Sequence, residues 1–124
     1  MKRFAVTSLF LLSAFVLQAQ AFFVSNSLLT QWISDAQATF MNSGDTTSMD
    51  NSMKLAGYIQ GVADVFESSH IVNVPRNTTV RSMFNVLSAY MSSHSVAPDG
   101  DGVFTLAQAF VAAYPVPATA SPTE

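Results

Sequence analysis

The run Leu55-Ala56-Gly57-Tyr58-Ile59-Gln60-Gly61-Val62-Ala63-Asp64 constrains this chain more than any other stretch. At helical spacing Leu55, Ala56, Ile59, Val62, Ala63 and Phe66 form one apolar stripe, so the run belongs to a helix seated on a core. Gly57 and Gly61 lie four apart on the other side, with Asp64 less than a turn beyond. A glycine inside a helix costs about 1 kcal/mol against alanine. Two on one face predict that a second backbone presses there, where no side chain would fit. Asp64 is then expected at the edge of that contact, holding the amides of a neighbouring helix start or loop.

Three more amphipathic segments accompany this one. The first spans about Ser27 to Met41, with Leu28, Leu29, Trp32, Ile33, Ala36 and Phe40 inward and Gln31, Ser34, Asp35 and Ala38 opposite. Asn42-Ser43-Gly44-Asp45 ends it with turn chemistry. The glycine-bearing helix is expected from about Ser48 to Ser68, with Thr46, Thr47, Ser48 and Asp50 as capping candidates. Ile71 to Pro75 reads as an extended connector, because the residue before a proline is pushed out of helical geometry. Asn77, Thr78 and Thr79 offer caps for a third helix, whose stripe is Val80, Met83, Phe84, Leu87, Tyr90 and Met91. The last helix is expected from Val103 to Ala113, with Leu106, Ala107, Phe110, Val111 and Tyr114 inward, and Pro115 stops it. No repeat is present, and no alternating pattern longer than the connector. The expected fold is all-α, a compact bundle of four to five short helices.

The ends read differently from the middle. Met1-Lys2-Arg3 is basic, Phe4 to Leu17 is apolar, and Gln18-Ala19-Gln20-Ala21 supplies small residues for a peptidase. Residues 1–21 therefore read as a secretory signal cleaved after Ala21, which implies a periplasmic address. The apolar run falls short of the ~20 residues a spanning helix needs, so no membrane attachment is expected after cleavage. Residues 22–116 are expected to form one helical domain, and residues 117–124, rich in Pro, Ala, Ser and Thr, a disordered tail.

Charge and cysteine content exclude whole classes of function. Residues 22–124 carry Lys54, Arg76 and Arg81 against eight acids, a formal net charge of −5. Nucleic acid needs a basic surface, so none is expected as a partner. A basic protein partner is compatible with this balance. The chain has no cysteine, which rules out disulfides, thiolate metal sites and cysteine nucleophiles.

Catalytic constellations are weak. Glu67 and His70 have the three-residue spacing of carboxylate-bridged metal sites, but the further inward carboxylates are missing. The helical zinc-protease motif is absent. Ser69-His70 and Ser93-His94-Ser95 are neighbours in sequence only, whereas triad members meet in space. His70 and His94 fall at helix C-termini, where free carbonyls await partners. Asp99-Gly100-Asp101-Gly102 opens like a calcium loop, but Val103 stands where the third oxygen ligand belongs, and a capping turn fits better. Asn77-Thr78-Thr79 fits a glycosylation acceptor or a helix cap. No enzymatic activity, metal or cofactor is expected. Ser93 to Gly102 is the longest connection between helices. It reads either as a capping turn or, with the exposed face of the third helix, as a partner-binding surface of Ser95, Pro98, Asp99, Asp101, Asn85 and Ser88.

Taken in order, these motifs resemble the Rap/Tai family of type VI secretion immunity proteins. The pattern appears here as Gly57-Tyr58-Ile59-Gln60-Gly61-Val62-Ala63-Asp64, then Val74-Pro75, then Ala89-Tyr90-Met91, then Ala109-Phe110-Val111-Ala112-Ala113-Tyr114-Pro115. The resemblance spans roughly Leu28 to Val116. Many members carry a cysteine two residues before the first glycine and another after the closing proline. This chain has Leu55 and Val116 there; if the two positions are neighbours, an apolar contact stands in for the bridge, and the ~2–4 kcal/mol a bridge typically gives is absent. The resemblance implies a small helical periplasmic protein, commonly a homodimer, that blocks a peptidoglycan-cleaving amidase effector. It also marks Gly57, Tyr58, Gly61, Asp64, Pro75, Tyr114 and Pro115 as structural motif positions.

The alternative is a non-enzymatic periplasmic structural or chaperone-like binding protein. Its support is the set Met41, Met49, Met53, Met83 and Met91, since methionine surfaces adapt to varied partners. Met53, Met83 and Met91 are expected to be core filler.

Overall fold

Each helix of the protein starts on a side chain that closes its own first turn. The computed structural model describes residues 24–118, which form α1 (Asn26–Phe40), α2 (Thr46–Ser68), α3 (Val80–Ser93) and α4 (Gly102–Ala113). The side chains of Ser25, Asp45, Thr79 and Asp101 accept from the amides of Leu28, Ser48, Ser82 and Val103 in turn. Such caps satisfy amides that have no intrahelical partner. The expected signal, residues 1–21, lies outside the described residues, and so do residues 119–124 of the expected tail.

These helices pack as an all-α bundle. Its core draws Leu29, Ile33 and Ala36 from α1, and Leu55, Ile59, Ala63 and Phe66 from α2. Met83, Phe84 and Leu87 come from α3, and Leu106, Ala109 and Phe110 from α4. Leu29, Leu55, Ile59, Leu87, Leu106 and Phe110 are fully buried. Each such side chain contributes roughly 1.5–3 kcal/mol over an exposed one. Val72 adds the connector to this core, and the Asn73 amide donates to the Tyr114 carbonyl at 3.0 Å. The connector and the end of α4 are thereby tied together, close to the motif positions Pro75 and Pro115.

Two helices end in the same way. Asn42 (φ 55°) and His70 (φ 58°) take the left-handed conformation just past α1 and α2. The following amides, of Ser43 and Ile71, reach back to the carbonyls of Ala38 and Phe66. This is a Schellman closure, built on side-chain-bearing residues where glycine is the usual choice.

Several expectations are corrected. α2 begins at Thr46, capped by Asp45, two residues before the expected start at about Ser48, and ends at Ser68 as expected. Asp35 is half-buried rather than outward, since the first turns of α2 close over it. Its carboxylate accepts from Asn51 Nδ2 at 2.7 Å and Ser48 Oγ at 3.3 Å. Phe40 and Val111 lie on the rim, not in the core. Met83 is buried and Met91 half-buried, but Met53 is 73% exposed and fills nothing. Leu55 is in the core, while Val116 lies outside it and is 46% exposed.

The glycine face of α2 is the largest correction. A Cβ added at Gly57 or Gly61 would meet no other atom within 4 Å. The rest of the bundle gathers on the Leu55–Ile59–Phe66 side, so among the described residues the opposite side is open and no backbone presses on it. Asp64 is exposed and makes no hydrogen bond among the described residues, so it holds no helix start or loop. Close backbone approach occurs instead at Gly100 and Gly102. A Cβ at Gly102 would stand 2.7 Å from the Val24 carbonyl oxygen, and one at Gly100 would stand 2.8 Å from Asn26 Nδ2.

Candidate interaction surfaces

The segment between α3 and α4 is held by its own main chain. The Asn26 amide donates to the Gly100 carbonyl and the Ser27 amide to the Pro98 carbonyl, both at 2.9 Å. Asn26 Nδ2 donates to the Ala97 carbonyl at 2.9 Å, and the Gly102 amide to the Val24 carbonyl at 2.8 Å. Loop carbonyls thus complete the first turn of α1, and Asn26 is buried beneath them. The expected site residues divide accordingly. Asp101 is the α4 cap, with its Oδ1 taking the Val103 amide at 3.1 Å. Pro98 contributes a carbonyl to α1. Ser95 and Asp99 are exposed, and their side chains make no hydrogen bond among the described residues.

Ser88 and Asn85 face a shallow groove between α1 and α3. Gln37 Nε2 donates to Ser88 Oγ at 3.3 Å across it. Ser88 and Val96 line one hollow of this groove, so Ser88 is brought to the start of the loop. Asn85 lines the next hollow with Phe40, Met41 and Arg81, away from Ser95 and Asp99. The six expected partner-binding residues therefore form no single cluster.

Beyond Asn85 the groove leads to a half-open apolar pocket. Phe40 meets Phe84 edge-on at 5.3 Å, and the Arg81 guanidinium sits 4.5 Å from the centre of the Phe40 ring. Beneath these side chains lies a cavity of about 180 Å³ between α1, α2 and α3. Sequence patterning placed Phe40 in the core and left Arg81 off the apolar stripe of the third helix. Their meeting depends on how α1 crosses α3, which neither stripe encodes.

The open face of α2 borders a second apolar hollow, of about 370 Å³, formed by Gly57, Tyr58, Gly61, Val62, Val65 and Val103 with Phe66. Val65 in this lining is 60% exposed, and Phe104, which follows Val103 on α4, is exposed as well. The Tyr58 ring meets Trp32 edge-on at 6.2 Å. Burial, and secondarily the Asp101 carboxylate, push the Tyr58 hydroxyl above its ordinary value of 10.0.

Polar chemistry is dispersed. Asp64, Glu67 and Arg76 line one hollow near Pro75, without a salt bridge among the described residues. His94 stacks on Tyr90 with ring centres 3.9 Å apart, and its Nδ1 lies 2.9 Å from the Tyr90 carbonyl. His70 extends from the left-handed turn after α2 and is exposed. Tyr114 meets Phe110 edge-on at the end of α4, and Pro115 is exposed. Among the described residues no three His, Asp or Glu side chains group as metal ligands. No described helix is long and apolar enough to cross a membrane.

Comparison with known proteins returns no family model, no curated protein and no solved structure that matches this chain.

Proposed function

We propose that this protein is a non-catalytic, exported inhibitor that binds a peptidoglycan-cleaving amidase effector of type VI secretion and occludes its active site in the periplasm. The observation that carries the reading is the pinned segment between α3 and α4. Its carbonyls turn inward to α1, while Ser95 and Asp99 turn outward. A loop already fixed in shape loses little freedom on entering a cleft, and this favours tight association. Asp99 adds negative charge at the tip, suited to a basic or amide-lined cleft. The ordered motifs shared with the Rap/Tai family supply the partner's identity, and a homodimer belongs to the same proposal.

The secreted chain should form a stoichiometric complex with its cognate amidase and abolish peptidoglycan hydrolysis. Asp99→Lys should weaken that complex at unchanged melting temperature. A chain that neither binds nor inhibits any amidase encoded beside it overturns the reading. Light scattering on the same preparation tests the homodimer.

A specific observation favours a second reading. Met41, Met49 and Met53 are all exposed near the α1–α2 junction, a surface suited to adaptable apolar contact. A chaperone-like protein would suppress aggregation of an unfolded client and lose that effect when these methionines become serine.

A further inference from the structure

The cavity beneath Phe40 and Arg81 has the build of a small-molecule site. Its floor is Leu55 and Ile59, both fully buried, and Ala36, Ser52 and Ala56 leave the space that larger residues would fill. At about 180 Å³ it is large enough for a phenyl-sized group, since an apolar cavity of ~150 Å³ in another protein admits benzene, and here the space opens to the groove. Water inside such a space finds few polar partners, and an apolar group of matching size gains contacts there.

The mouth carries opposite chemistry. Arg81 lies over the Phe40 ring, and no carboxylate of the described residues pairs with it. The one described ion pair is Lys54 with Asp50, on α2. A guanidinium is always charged and offers a planar fork suited to a carboxylate. Phe40 stands between the two regions with 41% of its surface exposed, held by edge contact to Phe84 rather than by burial.

We infer that this cavity binds an anionic amphiphile: one short alkyl chain or phenyl group inside, and a carboxylate at Arg81. The charge at the mouth selects this occupant over a neutral apolar molecule. The inference is independent of the amidase partner proposed above.

Octanoate and octan-1-ol are the probes, titrated into the full secreted chain with methyl NMR as the readout. Octanoate should shift the Leu55 and Ile59 methyls saturably and raise the melting temperature. Octan-1-ol should bind more weakly. Arg81→Gln should reduce octanoate affinity roughly tenfold, the effect of one lost charge-assisted contact, and leave octan-1-ol unchanged. Ala56→Leu should fill the cavity and abolish binding of both. If Ala56→Leu unfolds the chain, Ser52→Val narrows the same space by less and should weaken both probes. Methyl shifts that persist in a folded filled variant overturn the inference, as does equal binding of the two probes. A cavity whose methyls respond to protein concentration and not to octanoate also overturns it, and assigns the mouth to self-association.

Discussion

Asn26 Oδ1 accepts a 2.6 Å hydrogen bond from Thr105 Oγ1, joining the first residue of α1 to the first full turn of α4 across 79 positions of sequence. Both residues are buried, at 5% and 4% exposure, and the other end of the Asn26 amide holds the Ala97 carbonyl. Thr105→Val keeps the shape and removes the donor. An unsatisfied buried acceptor costs about 1–3 kcal/mol, so chemical denaturation should report a loss in that range. A variant as stable as the parent would show that water replaces the hydroxyl there.

Gly57 and Gly61 of α2 and Gly102 at the start of α4 should respond to alanine with opposite signs. Gly57→Ala and Gly61→Ala place a methyl in open space and should each stabilise the protein by up to about 1 kcal/mol, the helix preference of alanine. Gly102→Ala drives its methyl toward the Val24 carbonyl and to 2.9 Å from Leu29 Cδ1, and should cost on the order of 1–3 kcal/mol. Thermal melts of the three variants decide the matter. Destabilisation by Gly61→Ala would mean that the open face is covered in solution.

His70 carries the backbone strain that glycine relieves. His70→Gly should stabilise the protein by up to about 1 kcal/mol, read from the denaturation midpoint, because the left-handed turn after α2 loses its Cβ penalty. Asn42→Gly should gain less, since asparagine tolerates this conformation better than histidine. Equal gains at both sites would count against this account.

How much of this was legible in the sequence depends on the kind of contact involved. The stripes on all four helices were, since Leu29, Ile33, Leu55, Ile59, Leu87 and Phe110 repeat at helical spacing and all prove buried. Asp101 as the cap of the last helix and Pro115 as its stop were legible from local chemistry. The meaning of Gly57 and Gly61 was not. A missing side chain looks the same in sequence whether a neighbour excludes it or nothing is there at all. The hold on the α3–α4 segment was also hidden, because its acceptors are the carbonyls of Ala97, Pro98 and Gly100, and every residue has one. The cavity escaped for a related reason: Phe40, Arg81 and Ala56 belong to three helices, and only their crossing angles join them.

Asp45 makes the start of α2 sensitive to acid. Hydrogen bonding from Ser48, above all from its amide at 2.8 Å, holds the carboxyl below the ordinary value of 3.8. A group with a lowered folded value stabilises the protein fully above its unfolded value, and that contribution fades as pH falls through the folded one. Asp45→Asn keeps a capping side chain and removes the charge. Its melting temperature should lie below the parent's at neutral pH by an amount that stays constant until the ordinary carboxylate range, then closes in stronger acid. A gap unchanged down to full protonation would assign the difference to geometry instead of charge.

The division of labour in the α3–α4 segment sets what mutation is free to change. Shape there is written in carbonyls, which survive almost any substitution at Ser95 or Asp99, while Gly100 and Gly102 tolerate none that adds bulk without a shift in their neighbours. Chains descended from this one can therefore exchange the outward residues of the segment one at a time without refolding it. The surface presented there can vary while the frame beneath it stays the same.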